Sequence, residues 1–345
     1  QHGSHYPFLC HDWFRIWLKH FQGTAGLFIA LVTKDGIPVL IAPLQMRHEK
    51  YKKVARARTI AFIGNHHSPI QSFIFGEKET PDRIQSLRHF FSVLKKTIRD
   101  WDILELESLP EEREIAACAK QSLASEGIGF REYFCYNDWL LENIDFSGEE
   151  YLNGRTKNLR KEIRRRTRRL EEEGDVVFES GDAGENFEKY CGIYLDVRGR
   201  SWKHAETDSA FLTDFRKWAM GKGWLKFSFL YLNGLPISCH LRLIANNTAY
   251  LMESVYDQTF SEFSPTTLLR SMLMTHLIDK ENVSTIDTIR GDEPYKMEWT
   301  PTKRRRIGIT AFNSSAKGAF FRILMITFVP VAKKLMMFQN NHSNK

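Results

Sequence analysis

Two stretches of the chain, VTKDGIPVLIAPL at 32–44 and LYLNGLPISCHLR at 230–242, repeat one pattern. Each sets a two-residue Asp-Gly or Asn-Gly turn between runs that alternate apolar and small or polar residues. That combination is the strongest short-range signal for a β-hairpin, because both turn residues tolerate a positive φ. A helix-then-strand pair follows in each half, RHFFSVLKKTIRDWDILELE at 88–107 and RSMLMTHLIDKENVSTIDTI at 270–289. Hairpin, helix and strand in the same order twice imply an α/β (α+β) chain built from two copies of one unit. The copies are expected to join near 142–148, giving domains at 1–145 and 146–315 and a tail at 316–345. Duplicated units usually keep their chemistry in one copy or at the seam.

A chain of 345 residues with 42% hydrophobic and 13% aromatic residues can build two cores. Its five cysteines, Cys10, Cys118, Cys135, Cys191 and Cys239, are scattered without a CxxC or zinc-type spacing. They read as reduced and structural, which points to the cytosol and to no metal. The opening QHGSHYPF has no basic segment ahead of an apolar one, so no secretory leader is read there.

Further elements follow from local pattern. Apolar residues at helical spacing predict a helix over 7–21, Thr80-Pro81 opens one running to about Arg99, and others are expected over 110–126, 182–204 and 210–221. Strands are expected at 59–63, 102–107, 130–141, 248–256 and 307–312.

The formal charge of +7 is concentrated in a few places. Between Arg155 and Arg169 stand nine Lys or Arg and one acid, within a predicted long helix over 149–173. Leu152, Leu159, Ile163 and Leu170 form a narrow apolar stripe, so most of the girth is left to solvent. Lys157, Lys161, Arg164 and Arg168 then line up as a cationic row. That row suits an anionic ligand, a phosphate, nucleic acid or membrane surface; the alternative is a solvated face partly neutralised by Glu171, Glu172 and Glu173. The row lacks aromatic residues, so base reading and sequence-specific DNA binding are not expected.

The most informative segment is 261–299, SEFSPTTLLRSMLMTHLIDKENVSTIDTIRGDEPYKMEW. Ser264 and Thr266 are N-cap types, Pro265 suits a first turn, and Leu268, Leu269, Met272, Leu273, His276 and Leu277 recur at helical spacing. A helix starting there presents free amides that attract anions. A strand at 284–289 then delivers Asp287, Arg290, Asp292, Glu293, Tyr295 and Lys296 to a polar loop bracketed by Gly291 and Pro294, more ionisable groups than solubility requires. His240 on its strand reads as a core histidine, Trp202 as a core aromatic, and His66-His67 as a polar loop.

Several stretches carry a family resemblance: KNLRKEIRRRTRRLEEEGDVVFE, VRGRSWK, SVYDQTFSEFSPTTLL and above all IDTIRGDEPYKMEW, with the weaker PFLCHDWFRIWLKHF at the N-terminus. They resemble the CelD-like acyltransferases of the GNAT superfamily, linked to cellulose and exopolysaccharide synthesis and distantly related to the Fem aminoacyl transferases. The resemblance implies two tandem GNAT-like domains that move an acyl group from acyl-CoA or acetyl-CoA to an amine acceptor. An amine nucleophile must lose a proton, so Glu253 or Asp257 is expected as base, directly or through water. Amides of the strand holding Glu253 to Tyr256 are expected to stabilise the oxyanion. Carrier phosphates would meet Ser264, Thr266 and Thr267, with Arg290 beside them. Lys296 would neutralise phosphate or developing charge, Tyr295 would protonate the leaving thiolate, and Arg290 and Asp292 would orient the loop by salt bridges. Other readings stay open: Asp257 as a strand-end turn residue, and Glu253 as a structural partner of Arg242.

SEFSPTTLL lacks the glycine-rich turn that CoA-dependent GNAT enzymes place before this helix. An aminoacyl-tRNA donor, served by the basic row, is therefore a second reading. A non-catalytic binding subunit of a polysaccharide-synthesis assembly is a third. The tail at 316–338, AKGAFFRILMITFVPVAKKLMMF, is too interrupted for a membrane span. With KRRR at 303–306 it fits either a peripheral in-plane helix or one packed back on the domain.

Overall fold

The computed structural model describes residues 6–76, 80–112, 114–203 and 206–328. The chain divides into two compact units, 1–136 with 304–345, and 137–303. The first opens with α1 (His11–Phe21), β1 (Gly26–Lys34), β2 (Ile37–Tyr51), β3 (Ala55–Phe62), β4 (Ile74–Phe75), α2 (Thr80–Lys96), β5 (Ile103–Pro110) and α3 (Ile115–Ser125). Strand β6 (Phe130–Glu142) leads into the second unit. There α4 (Gly148–Asn153), α5 (Lys157–Glu171), β7 (Val176–Asp182), α6 (Phe187–Gly199) and α7 (Ser209–Gly221) come first. Then follow β8 (Leu225–Leu232), β9 (Leu235–Ala245), β10 (Thr248–Tyr256), α8 (Pro265–Asp279), β11 (Thr285–Arg290) and α9 (Pro294–Trp299). The chain closes its described part with β12 (Thr302–Phe312) and α10 (Ala316–Ile323).

The fold is mixed α/β, and the repeat seen in the sequence reappears as a pairing pattern. In the first unit β1 and β2 form an antiparallel hairpin, β2 pairs antiparallel with β3, β3 runs parallel to β5 across α2, and β5 pairs antiparallel with β12. In the second unit β8, β9, β10, β11 and β6 repeat that series, with α8 as the crossover and β7 added outside β8. Both hairpin turns adopt positive φ at both residues, 52° and 78° at Asp35-Gly36, 49° and 78° at Asn233-Gly234. That is the twist that lets a two-residue loop join right-twisted strands.

Each unit has its own core. In the first, Leu44, Ile60, Leu104 and Ile309 from the sheet meet Leu87, Phe91 and Leu94 of α2. In the second, Leu273, Met274 and Leu277 of α8 meet Ala249, Leu251 and Ile286. Leu268 and Leu269, one turn earlier, pack with Leu170 of α5, Leu230 and Ile237. Helix α8 is therefore apolar on nearly every face, and its start and its polar side chains are held at fixed positions.

One expectation is corrected here, and two strand segments appear that were not read from the sequence. The helix expected over 149–173 is two helices. Ser147 forms a reciprocal capping box with Glu150, Gly154 ends α4, and the Thr156 side chain caps α5 by accepting from the Leu159 amide at 3.2 Å. A glycine followed by a good cap competes with continuation and wins. The basic stretch at 47–58 is strand: β2 runs to Tyr51, turns at Lys52 and Lys53 with positive φ, and returns as β3. Strand β7, over 176–182, was not among the expected elements.

The expected helix over 182–204 is α6, which ends at Gly199; residues 204 and 205 lie outside the described set. In the tail, Phe321 and Met325 are buried against Tyr51, Ala57 and Phe312, while Phe320, Ile323 and Ile326 are exposed. Residues 329–345, which hold the rest of the expected tail helix, lie outside the described set. Among the described residues no helix is long and apolar enough to cross a membrane.

Candidate functional site

The site begins where two parallel strands part. Strands β10 and β11 pair only over Thr248–Tyr250 against Thr285–Asp287. Beyond Tyr250, β10 carries a bulge: Leu251 faces Arg242 of β9, Glu253 faces Leu241, and Met252 is the extra residue. Bulges bend a strand and end its pairing on one side. Strand β11 turns away as well, with Ile289 at φ 51°, a costly conformation for a β-branched residue, and its amide donating to Asp287 Oδ1 at 2.6 Å. Between the diverging strands lies a notch of about 180 Å³.

Its strand walls are Leu251, Met252, Glu253 and Ser254 from β10 and Thr288, Ile289 and Arg290 from β11. Lys203, His240, Arg270, Glu293, Tyr295 and Lys296 complete it. Four cations face two carboxylates, so the notch is cationic.

Glu253 is the carboxylate of the β10 wall. It accepts from Tyr194 and Arg198 through short contacts and from Lys203 Nζ at 3.1 Å. Burial works against its charge, but Lys203, Tyr194 and Arg198 outweigh it and hold the carboxyl below its ordinary range. Tyr194, buried beside Glu253, is pushed far above the usual phenol value. Arg242, the partner considered for Glu253, instead donates to the Ser228 and Ser180 hydroxyls at 2.8 Å each and stands 3.6 Å from Glu281.

Asp257 has another place. It is buried and caps the 3-10 turn at 258–263, accepting from the Thr259 amide at 3.0 Å and hydroxyl at 2.7 Å, and it pairs with Arg200. Burial opposes its charge, yet Thr259 and Arg200 hold the carboxyl below its ordinary range. It does not line the notch, so the geometry is that of a strand-end turn residue rather than a base.

The expected polar loop at 290–296 is shorter than supposed, because Pro294 starts α9. Lys296 is buried, 5% exposed, with Nζ 2.8 Å from the Arg290 carbonyl and 3.0 Å from Glu293. It braces the corner at Gly291. Asp292, expected to orient the loop by a salt bridge, accepts neutral hydrogen bonds from Asn137 Nδ2 at 2.7 Å and Trp139 Nε1 at 2.9 Å, which lower its carboxyl. Tyr295 is half-exposed at the notch, its ring stacked 4.6 Å from the Arg270 guanidinium.

Arg270 sits one turn into α8, so this contact brings the helix start beside the notch. Ser264 occupies the N-cap position in the left-handed region, φ 47°, and its side chain does not cap. Its hydroxyl accepts from Arg166 instead, whose Nη1 also reaches the Glu262 carbonyl at 3.2 Å. The Thr267 amide is bonded to the Ser264 carbonyl at 2.9 Å, and Thr266 and Thr267 are half-buried. Arg166 and Arg169 of α5 are thus the cations at the helix start, Arg169 through Glu262 at 2.7 Å. The predicted row of Lys157, Lys161, Arg164 and Arg168 lies together on the exposed face of α5, lining a shallow cationic groove with Arg160 and Arg165.

Sequence reasoning did not place three residues in this site, and one of them, His240, was read as a core histidine. His240 is 2% exposed and lines the notch; its Nδ1 has no hydrogen-bond partner among the described residues. Burial, with Arg270, Arg242 and Lys203 nearby, holds the imidazole well below its usual value, so it is neutral. Lys203 closes the VRGRSWK stretch, which was read for its resemblance and not for a role, and Arg270 is hidden in an apolar helix pattern whose spacing marks it only as one more inward position.

Residues 157–297 match the family model described as an acetyltransferase (GNAT) domain. No curated protein matches the chain. Among solved structures, FemX is similar at a TM-score of 0.50 and 13% identity, covering 84% of this chain and 90% of that one. The C-terminal domain (DUF2156) of a putative lysylphosphatidylglycerol synthetase from Agrobacterium fabrum has a TM-score of 0.48 at 10% identity, covering 86% and 88%. A tandem GNAT protein from the clavulanic acid biosynthesis pathway has a TM-score of 0.45 at 12% identity, covering 87% of each chain. The matched segment spans every element of the notch, and it is a GNAT acyltransferase domain, a type that in general uses acyl-CoA.

Proposed function

We propose that the acyl group is handed over inside the notch between β10 and β11, from the thioester of acyl-CoA to an amine in a cell-envelope or polysaccharide pathway. The observation that carries this reading is the parting of the two strands after Tyr250 and Asp287. An unpaired strand edge offers backbone donors and acceptors to an extended ligand, as in strand addition. The pantetheine arm of CoA, with its two amides, has the matching chemistry. Its diphosphate end then falls toward the start of α8, where Thr266 and Arg166 provide for negative charge without a glycine-rich turn. The pathway rests on the GDEPYK resemblance alone.

In the reaction the amine nitrogen attacks the thioester carbonyl carbon, a C–N bond forms, the C–S bond breaks, and the amine proton ends on the departing sulfur. Glu253 receives the first proton of the ammonium form through water and releases it to solvent, and the second proton, lost from nitrogen on attack, balances the one that reaches sulfur. Tyr295 at the mouth delivers a proton to the thiolate. Lys296 keeps the corner at Gly291 in place rather than touching phosphate.

Thermal shift with acetyl-CoA and longer acyl-CoAs tests the reading. Stabilisation that is lost in Lys296→Ala and accompanied by acylation of an amine supports it. No shift with any acyl-CoA favours the non-catalytic binding role.

A further inference from the structure

The floor of the notch holds two buried polar side chains that each keep a nitrogen without a hydrogen-bond partner among the described residues. Arg270 is 9% exposed, its Nη1 has no hydrogen-bond partner among the described residues, and the Tyr295 ring covers one face of its guanidinium. His240 is 2% exposed with Nδ1 likewise unpartnered. Stripping a guanidinium of water without giving it an anion is expensive, and stacking on one ring offsets only part of that. Elsewhere in the same unit buried arginines are matched: Arg216 lies 2.7 Å from Glu206, and Arg242 is taken up by Ser228, Ser180 and Glu281. Arg270 has no hydrogen-bonded partner of that kind among the described residues: Glu293, the notch carboxylate that feels its charge, is taken up by Lys296 at 3.0 Å, and the Arg270 fork is left for a ligand.

The planar fork of a guanidinium fits a carboxylate in two parallel hydrogen bonds. In the same small cavity Glu253 presents the opposite charge. A notch of about 180 Å³ with a carboxylate on one wall and an arginine on the floor complements a molecule that bears an ammonium and a carboxylate close together.

We propose that the acceptor is an amino-acid-type amine, whose carboxylate is bound by Arg270 with His240 beside it while its nitrogen is presented to the thioester. The proposal rests on the acyl-transfer reading for the role of the nitrogen, but the carboxylate site stands on Arg270 and His240 alone.

The test uses the full chain with two matched pairs. With acetyl-CoA as donor, L-alanine and ethylamine differ only in the acceptor carboxylate. With ethylamine as acceptor, succinyl-CoA and propionyl-CoA differ only by a carboxylate in the acyl chain. A salt-type hydrogen bond to a charged group corresponds to a preference on the order of 10- to 100-fold in kcat/KM. The expected result is that preference for L-alanine over ethylamine, collapsing in Arg270→Met and reduced in His240→Gln. In parallel, saturation-transfer NMR of L-alanine with the free protein shows binding that Arg270→Met abolishes.

A preference in the succinyl pair instead assigns the carboxylate to the donor and overturns the acceptor assignment. No preference in either pair, with alanine binding unchanged in both variants, overturns the site. No transfer to any amine, with alanine binding still lost in Arg270→Met, keeps the carboxylate site and overturns the acyl-transfer reading. Should Arg270→Met fail to fold, His240→Gln and Arg270→Lys decide on the same readouts, since each leaves the cavity filled.

Discussion

Replacing Glu253 by Gln separates an anchoring carboxylate from a catalytic base. The side chain is 25% exposed, and its partners Arg198 and Lys203 are 13% and 30% exposed. Removing one member of a fully buried ion pair costs about 3–5 kcal/mol, and an exposed pair is worth about 0–1 kcal/mol. Glu253 lies between these limits, and a glutamine still accepts from Tyr194, so the expected loss is about 2 kcal/mol at pH 7. For a unit of this size that is a fall in Tm of roughly 4–8 °C.

The folded carboxyl lies below its ordinary value. The unfolded chain therefore binds the proton more readily, and the stabilisation is present above the unfolded carboxyl pKa of about 4.3 and lost as pH falls through the folded value. Urea denaturation followed by circular dichroism at pH 7.5 and again near pH 4 reads both terms: the gap between wild type and Glu253→Gln should be full in the first and closing in the second. Equal stability at pH 7.5, or a gap that does not narrow in acid, refutes the anchoring argument. An acyl-transfer rate reduced by about 10²- to 10⁴-fold with unchanged stability would instead make Glu253 the base outright.

Other outcomes follow from the same geometry. Asp257→Ala removes a cap and the Arg200 pair, and should cost about 1–2 kcal/mol in denaturant while leaving KM for acyl-CoA unchanged. His240 is neutral when folded and takes a proton below about pH 6.5 when unfolded, so it makes stability fall by about 1.4 kcal/mol per pH unit in that acid range; His240→Gln should flatten the slope in pH-dependent melting. Charge reversal at Lys161 and Arg164 touches only the exposed face of α5. It should leave stability within about 0.5 kcal/mol and weaken binding of a polyanion such as heparin in a salt-dependent way, read by anisotropy at two ionic strengths.

Features carried by short-range chemistry were legible in the sequence. The Asp35-Gly36 and Asn233-Gly234 turns require positive φ, so two hairpins and their repetition could be read from a handful of residues. Pro265 and the apolar spacing after it marked α8, and the density of charge at 157–168 marked the face of α5. The site was legible only as a neighbourhood. Which of Arg166 and Arg168 meets the start of α8 depends on how α5 docks, and the break at Gly154 shifts that docking. Whether Glu253 is free or pinned depends on Tyr194, Arg198 and Lys203, brought up from α6 and the segment after it. The strained backbone at Ile289 has no residue signature, because nothing about an isoleucine announces a positive φ. Long-range packing decides those points, and periodicity does not encode it.

Hydrogen–deuterium exchange of the full chain with and without acetyl-CoA tests most directly whether the carrier lies between the parted strands. Added protection is predicted at 251–256, at the α8 start over 264–268 and at 288–291. Protection confined to other segments, or no change with acetyl-CoA and longer acyl-CoAs at saturating concentration, would contradict it.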